Sequence, residues 1–441
     1  MKNFMNRIIG EILIWISNFS LFRKLEFPLF LWILSLKLKG SDQAKPPRLF
    51  WGPKPILNNK YWSSAMSKNF HSKTVMESFY SSINNIEDFD IYVEEILKNF
   101  RMPLFICYRY KSYFLTYYAL KNYDIFHIPF TGCFLGGTVH WKREAALFKK
   151  YNKKFVLLPY GSDAYIYSAI KDESFQNALL ISYPDAARTD NEIRERVNYW
   201  SVNADFIPAG FMIDGFPRWD AVVGNFVTFS TEIVNGLMRY SDADGLNDTV
   251  YVAHCPNHRG AKGTEFIIDA VNKLKSEGFL VELVLMEGLK NDVLLSKLQT
   301  EVDVLVEQLV MGYGLNAIEG MACGLPTISN LSIDSYTKIF RRYASLNECP
   351  ILSATPETII ESLRVLITNP KLRKSLGMAG KEFVRKYHSE AFAQFLFSKV
   401  YDKIWYNKSV DLMTLFHPYS RGSYNNSSPL VVHPLVENKI S

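Results

Sequence analysis

A series of short apolar runs, separated by longer helical patterns, constrains this chain more than any other feature. "TVYVAHC" (249–255), "FLVELVLMEG" (279–288), "VDVLVEQLV" (302–310) and "LPTIS" (325–329) are short and nearly continuously apolar. Strands buried on both faces read this way, and helices must then cover both sides of a parallel sheet. "TEFIIDAVNKLKSEG" (264–278) and a stretch near 292–300 supply helical spacing between them. Thr264 is placed to cap the first of these helices and Gly278 to end it. A similar series precedes it. "RLFWG" (48–52), "KTVMESF" (73–79), "PLFICYR" (103–109), "YDIFHIPF" (123–130) and "KFVLLPYGSD" (154–163) read as strands, with "KYWSSAMSKNF" (60–70) as a helix. The expected class is α/β, with two Rossmann-like parallel-sheet domains facing a central cleft.

A chain of 441 residues suits two such domains. The pattern loosens over 210–248, where "GFPRWD" and "SDADGLNDT" carry turn chemistry. The expected organisation is an N-terminal segment 1–40, a first domain 41–225, a linker 226–248 and a second domain 249–406 that closes in helices. A loose tail, 407–441, follows.

The N-terminal segment holds six basic residues (Lys2, Arg7, Arg23, Lys24, Lys37, Lys39) against Glu11 and Glu26, much of the chain's net charge of +6. It contains two apolar runs, "IIGEILIWISNF" and "FPLFLWILSL", each too short to span a bilayer. Basic flanks with Trp, Phe and Leu suit a helix lying in a membrane interface, and packing on the protein body is the alternative. A second basic stretch, "WKREAALFKKYNKK" (141–154), reads as a solvated helix face or part of the same surface. The five cysteines show no CxxC spacing and point to buried thiols in a reducing compartment. No basic domain with interleaved aromatics marks a nucleic-acid binder.

Two stretches carry chemistry. In "HCPNHRGAKGTE" (254–265), Arg259 and Lys262 lie between a strand end and a helix start. Unpaired N–H groups and the helix dipole make such a place receptive to anions, and two cations there would neutralise a diphosphate. Gly260 and Gly263 permit close backbone approach. A solvated basic loop is the alternative. In "MGYGLNAIEGMACGLPTIS" (311–329), Gly312 and Gly314 flank Tyr313, so the backbone can approach a ligand. Asn316 and Glu319 have the spacing of a capping box, or else Glu319 accepts hydrogen bonds from two vicinal hydroxyls, as acids do for a ribose. Gly320, Ala322 and Gly324 leave room alongside. Neither "DFD" (88–90) nor "DAD" (242–244) stands where a metal-binding D-x-D belongs, and no GxSxG, P-loop or HExxH occurs.

"GYGLNAIEGMACGLPTIS", with "RGAKGTEFIIDAV" upstream and "LGMAGKEFVRKYHSEAFAQFLFSKVY" downstream, resembles the C-terminal half of family 4 glycosyltransferases over roughly 250–405. "YDIFHIPFTG" and "LLPYGSDAY" resemble that family's N-terminal strand ends more loosely. The resemblance implies a GT-B fold with an acceptor domain first and a donor domain second. It implies retaining hexosyl transfer from a nucleotide-sugar, which is a substrate, with no cofactor and no metal. By position, Arg259 and Lys262 would hold the donor diphosphate, Glu319 the ribose, and Gly312, Tyr313, Gly314, Leu315 and Asn316 the donor sugar. His127 would face the cleft, with local hydrogen bonding as the alternative. Asp163 would orient the acceptor or anchor its turn. Met311 stands where the family carries a first glutamate, and a thioether cannot replace a carboxylate. Glu307 or Gln308 is the available substitute.

The expected activity is transfer of a sugar to a glycan or lipid-linked acceptor in cell-surface polysaccharide biosynthesis, at the cytoplasmic face of the cell membrane. A nucleotide-sugar epimerase of the same fold and a non-catalytic nucleotide-sugar binder are the alternatives.

Overall fold

The computed structural model describes residues 20–435, apart from 82, 101, 212 and 231–239. The apolar run 8–19, part of the linker and the last six residues lie outside that set. Two five-stranded sheets, parallel throughout, form the frame. The first contains β1 (Leu49–Trp51), β2 (Ser72–Met76), β3 (Ile91–Tyr92), β4 (Ile125–Ile128) and β5 (Lys154–Leu157), in the order β3-β2-β1-β4-β5. A short parallel pair, β6 (Pro208–Ala209) and β7 (Ala221–Val222), follows it. The second sheet contains β8 (Val250–His254), β9 (Val281–Leu285), β10 (Val304–Gln308), β11 (Thr327–Ser329) and β12 (Leu352–Ser353), ordered β12-β11-β10-β8-β9. β1, β4, β10 and β11 are buried almost throughout, which is why their sequences lack polar alternation.

The last helix, Glu390–Ile404, returns to the first half and closes the molecule. Its Tyr401 hydroxyl meets His127 Nε2 at 2.8 Å, Gln394 donates to the Ala65 carbonyl, and Glu390 pairs with Lys68. One apolar core therefore runs from Trp51 and Trp62 of the first half through Phe397 into the second.

Several segments depart from the sequence expectation. "PLFICYR" is a helix, Leu104–Arg109, rather than a strand. The Pro103 carbonyl accepts from the amides of Ile106 and Cys107, and a run this short fits either periodicity. The tail is packed rather than loose. Leu412, Leu415, Phe416 and Val431 are buried, and Lys386 Nζ binds the carbonyls of Ser428 and Pro429. The N-terminal helix Ser20–Lys37 does pack on the body, through Phe27, Phe30 and Leu34, each burial contributing about 2 kcal/mol. The basic stretch 141–154 is partly engaged: Lys153 is buried against Asp124, while Lys149 and Lys150 are exposed. All five thiols are free.

The small residues near Glu319 serve packing. A Cβ on Gly320 would lie 2.3 Å from Leu305 Cδ2, and one on Gly377 would lie 1.9 Å from the Gly324 carbonyl oxygen. They let the helices Leu315–Ala322 and Pro370–Tyr387 approach the sheet and each other, and they leave no room for a ligand. Gly377→Ala is therefore expected to cost about 1–3 kcal/mol, seen in calorimetry as a lowered melting temperature. Gly137→Ala, where a Cβ meets nothing within 4 Å, should be close to neutral.

Candidate functional site

A cavity of about 730 Å³ opens between the two halves at the C-terminal ends of their strands. Ligands in parallel α/β sheets bind at such strand ends. Its first-half wall is largely apolar and aromatic, with Ile56, Tyr80, Tyr160, Tyr165 and Phe175. The second half contributes His258, Lys262, Gln308, Met311 and the backbone loop Tyr313–Leu315.

Lys262 ends a four-residue helix, Arg259–Lys262, that Gly263 (φ +72°) separates from the long helix Thr264–Ser276. The sequence expectation of cations in a loop just before one continuous helix is thus corrected. Thr264 does not cap that helix, because its hydroxyl meets buried His254 Nε2 at 2.9 Å. Lys262 Nζ pairs with Glu307, whose side chain is fully buried. Glu307 also accepts from the Gly314 amide at 3.3 Å and the Ser329 hydroxyl at 3.2 Å. One carboxylate thereby ties the end of β10 to Lys262, to β11 and to the glycine loop. Lys262 lines the cavity, whereas Glu307 does not.

The loop is rigidly held. Gly312 adopts φ +58°, where a Cβ would approach the Phe211 ring to 3.1 Å. Tyr313 is buried, its hydroxyl 3.2 Å from His388 Nε2 and its carbonyl accepting from Asn225 at 2.7 Å. Gln308 Nε2 donates to the Met311 carbonyl at 2.5 Å. Met311 lines the cavity and offers no charge there.

The other candidates fall elsewhere. Arg259 turns to Glu265 (3.1 Å) and Glu287 (3.8 Å), half-exposed, and does not line the cavity. Its long side chain takes whichever carboxylates its neighbours present, and those are set by tertiary structure. Gly260 serves contact between the halves: a Cβ there would meet Ile181 at 2.3 Å, and the adjacent Ala261 amide donates to Ser182 Oγ. Asn316 and Glu319 form no capping box, since the helix Leu315–Ala322 begins at Gly314 with no side-chain cap. Asn316 Nδ2 donates to the Cys255 carbonyl. Glu319 is buried and does not line the cavity, its Oε1 accepting from Asn291 Nδ2 at 2.6 Å.

His127 borders the cavity, yet both ring nitrogens are engaged, by the Phe50 carbonyl (3.0 Å) and the Tyr401 hydroxyl. The ring stacks on Trp51 at 3.5 Å, and burial holds its pKa down at about 3, so it stays neutral. Asp163 anchors its turn by accepting from the amides of Phe130, Tyr160 and Gly161. Burial pushes that carboxyl up to about 6.

Sequence reasoning did not find two residues. Asn291 holds Glu319, and its own amide donates to the Ile83 carbonyl of the first half at 3.3 Å. Asn84 lines the cavity and is buried, yet its Nδ2 has no hydrogen-bond partner. A buried amide without a partner is rare and marks a position where polar satisfaction is incomplete. No local pattern marks Asn291, whose role depends on a contact between halves, and Asn84 is held by Tyr80 in its own half.

No protein-family model matches the chain. A segment of 100 residues is 34% identical to an uncharacterized glycosyltransferase of Methanocaldococcus jannaschii, spanning 21% of this chain and 25% of that protein's length. Among solved structures, HepE of Anabaena in complex with UDP-glucose matches at TM-score 0.50 with 12% identity, over 80% of this chain and 99% of its own. A variant of TarM from S. aureus, in complex with fondaparinux, α-GlcNAc-glycerol and UDP, matches at TM-score 0.52 with 9% identity, over 81% and 99%. Together with the paired parallel sheets and the cavity between them, these likenesses define the fold as GT-B.

Burial pushes the Glu319 carboxyl from its ordinary 4.5 up to about 7, against the lowering effect of Asn291. The folded state thus favours the neutral acid, and ionisation costs stability as pH rises through that window. Glu319→Gln keeps the acceptor for Asn291 and removes this cost. Thermal melts should show the variant matching the parent near pH 4 and exceeding it at pH 8. Equal melting of the two at both pH values would contradict the buried, neutral-preferring carboxyl.

Proposed function

We propose that the protein is a retaining glycosyltransferase that moves a hexosyl group from a nucleotide-sugar to a glycan or lipid-linked acceptor, in cell-surface polysaccharide biosynthesis. The observation that carries this reading is the cavity between two Rossmann-like halves, with a cation and a glycine-bearing backbone loop on its second-half wall. HepE with UDP-glucose and TarM with UDP share the fold, which supports a nucleotide-sugar donor here. The stretch matched to a glycosyltransferase covers only a quarter of that relative, so the activity rests on the site.

In this reading the bond from the anomeric carbon to the donor diphosphate breaks, and a bond to an acceptor hydroxyl forms with configuration retained. Lys262 stabilises the departing diphosphate without a metal ion, aided by the backbone N–H groups of Tyr313 and Leu315, since those of Gly312 and Gly314 are held by Asn330 and Glu307. Arg259 joins only by leaving Glu265 and Glu287, which its exposure allows. Glu319 reaches ribose hydroxyls only by exchanging its bond to Asn291. Met311 leaves the donor sugar without a carboxylate at that point, so backbone groups and Gln308 carry its recognition.

Thermal stabilisation by UDP, GDP and their sugar conjugates, followed by assay of sugar transfer, tests the proposal. At a hundredfold excess over Kd, a nucleotide diphosphate should add about 2.7 kcal/mol of stability. Lys262→Met alone would strand the buried Glu307 charge, at about 3–5 kcal/mol, so the informative variant pairs it with Glu307→Gln. That double variant should lose the nucleotide-dependent shift and at least about a hundredfold in turnover. Full retention of both, or no shift with any nucleotide, would sink the reading.

A further inference from the structure

The helix Ser20–Lys37 has two unlike faces. Phe27, Phe30 and Leu34 are buried on the first half, where Phe27 stacks on His140 at 4.2 Å and Phe30 on Tyr113 at 4.7 Å. Leu25, Leu29, Trp32, Ile33 and Leu36 are 42–64% exposed. Their spacing places all five on one stripe of the helix. Nothing in the chain described here covers them. Beside the helix, Arg109 pairs with Glu26 at 3.6 Å, and its neighbour Tyr108 is also exposed.

The charges say what kind of surface suits this stripe. Residues 20–40 contain Arg23, Lys24, Lys37 and Lys39 against Glu26 alone, and Glu26 is already taken by Arg109. Lys37 and Lys39 are exposed at the end of the helix. An apolar stripe containing Trp, with Lys37 and Lys39 exposed at its end in a segment of net positive charge, matches the interface of an anionic bilayer. A second copy docked on the same stripe would bring like charges together, which disfavours self-association. No helix of the described residues is long and apolar enough to cross a membrane, so the helix would lie along the surface.

We propose that this helix docks the protein on an anionic lipid surface, with Leu25, Leu29, Trp32, Ile33 and Leu36 at the boundary of headgroups and acyl chains. The proposal is independent of the catalytic reading. If both hold, docking presents the cavity to acceptors held in the membrane.

The test is sedimentation of the full chain with vesicles of phosphatidylcholine, with and without phosphatidylglycerol. Binding to the anionic vesicles, weakened by salt, is expected. Leu29→Glu with Trp32→Glu should lower the bound fraction at least about tenfold. The melting temperature should hold, because both side chains are exposed. Lys37→Glu with Lys39→Glu should reduce the preference for phosphatidylglycerol. The proposal is overturned if neither vesicle binds, or if the Leu29/Trp32 variant binds as well as the parent. A dimer that this variant returns to monomer, without vesicle binding by the parent, would assign the stripe to a second copy instead.

Discussion

The Lys262–Glu307 pair is the constraint on which the site depends. A carboxylate with no solvent access is costly unless its oxygens are satisfied. Here they are met by Lys262, the Gly314 amide and the Ser329 hydroxyl. Satisfying that charge fixes the end of β10, the adjacent β11 and the glycine loop in one arrangement. It also holds the Lys262 ammonium at the cavity edge, with a small part of its side chain still exposed. A preorganised cation needs little reorganisation when an anion arrives, which is the advantage of building it this way.

The two halves are joined by several different contacts, and most of them border the cavity. Gly260 admits Ile181, Ala261 binds Ser182, Asn291 and Lys290 reach Ile83 and Asn85, and Tyr401 binds His127. Asn291 is shared: its side chain holds Glu319 while its backbone meets the first half.

The parallel sheets were legible because continuous apolar runs have few other homes. The helix Leu104–Arg109 was not, since a run as short as "PLFICYR" does not distinguish the two periods. The packed tail escaped notice because a few buried side chains, such as Phe416 and Val431, suffice to dock a segment rich in Ser and Asn. At the site, residue types pointed to Lys262 and to the loop from Gly312 to Leu315; Lys262, Tyr313, Gly314 and Leu315 do line the cavity, while Gly312 packs on Phe211. Side-chain direction was beyond reach: Arg259 looks outward, Glu319 is held by Asn291, and His127 is saturated by neighbours remote in sequence. The glycines of 311–329 illustrate the same limit, because close helix packing and ligand access ask for the same residue.

A crystal structure of the full chain grown with UDP tests the central claim most directly. The account places the diphosphate within hydrogen-bond distance of Lys262 Nζ and of the Tyr313 or Leu315 amide. A diphosphate bound away from both, or a cavity left empty at saturating nucleotide, would contradict it.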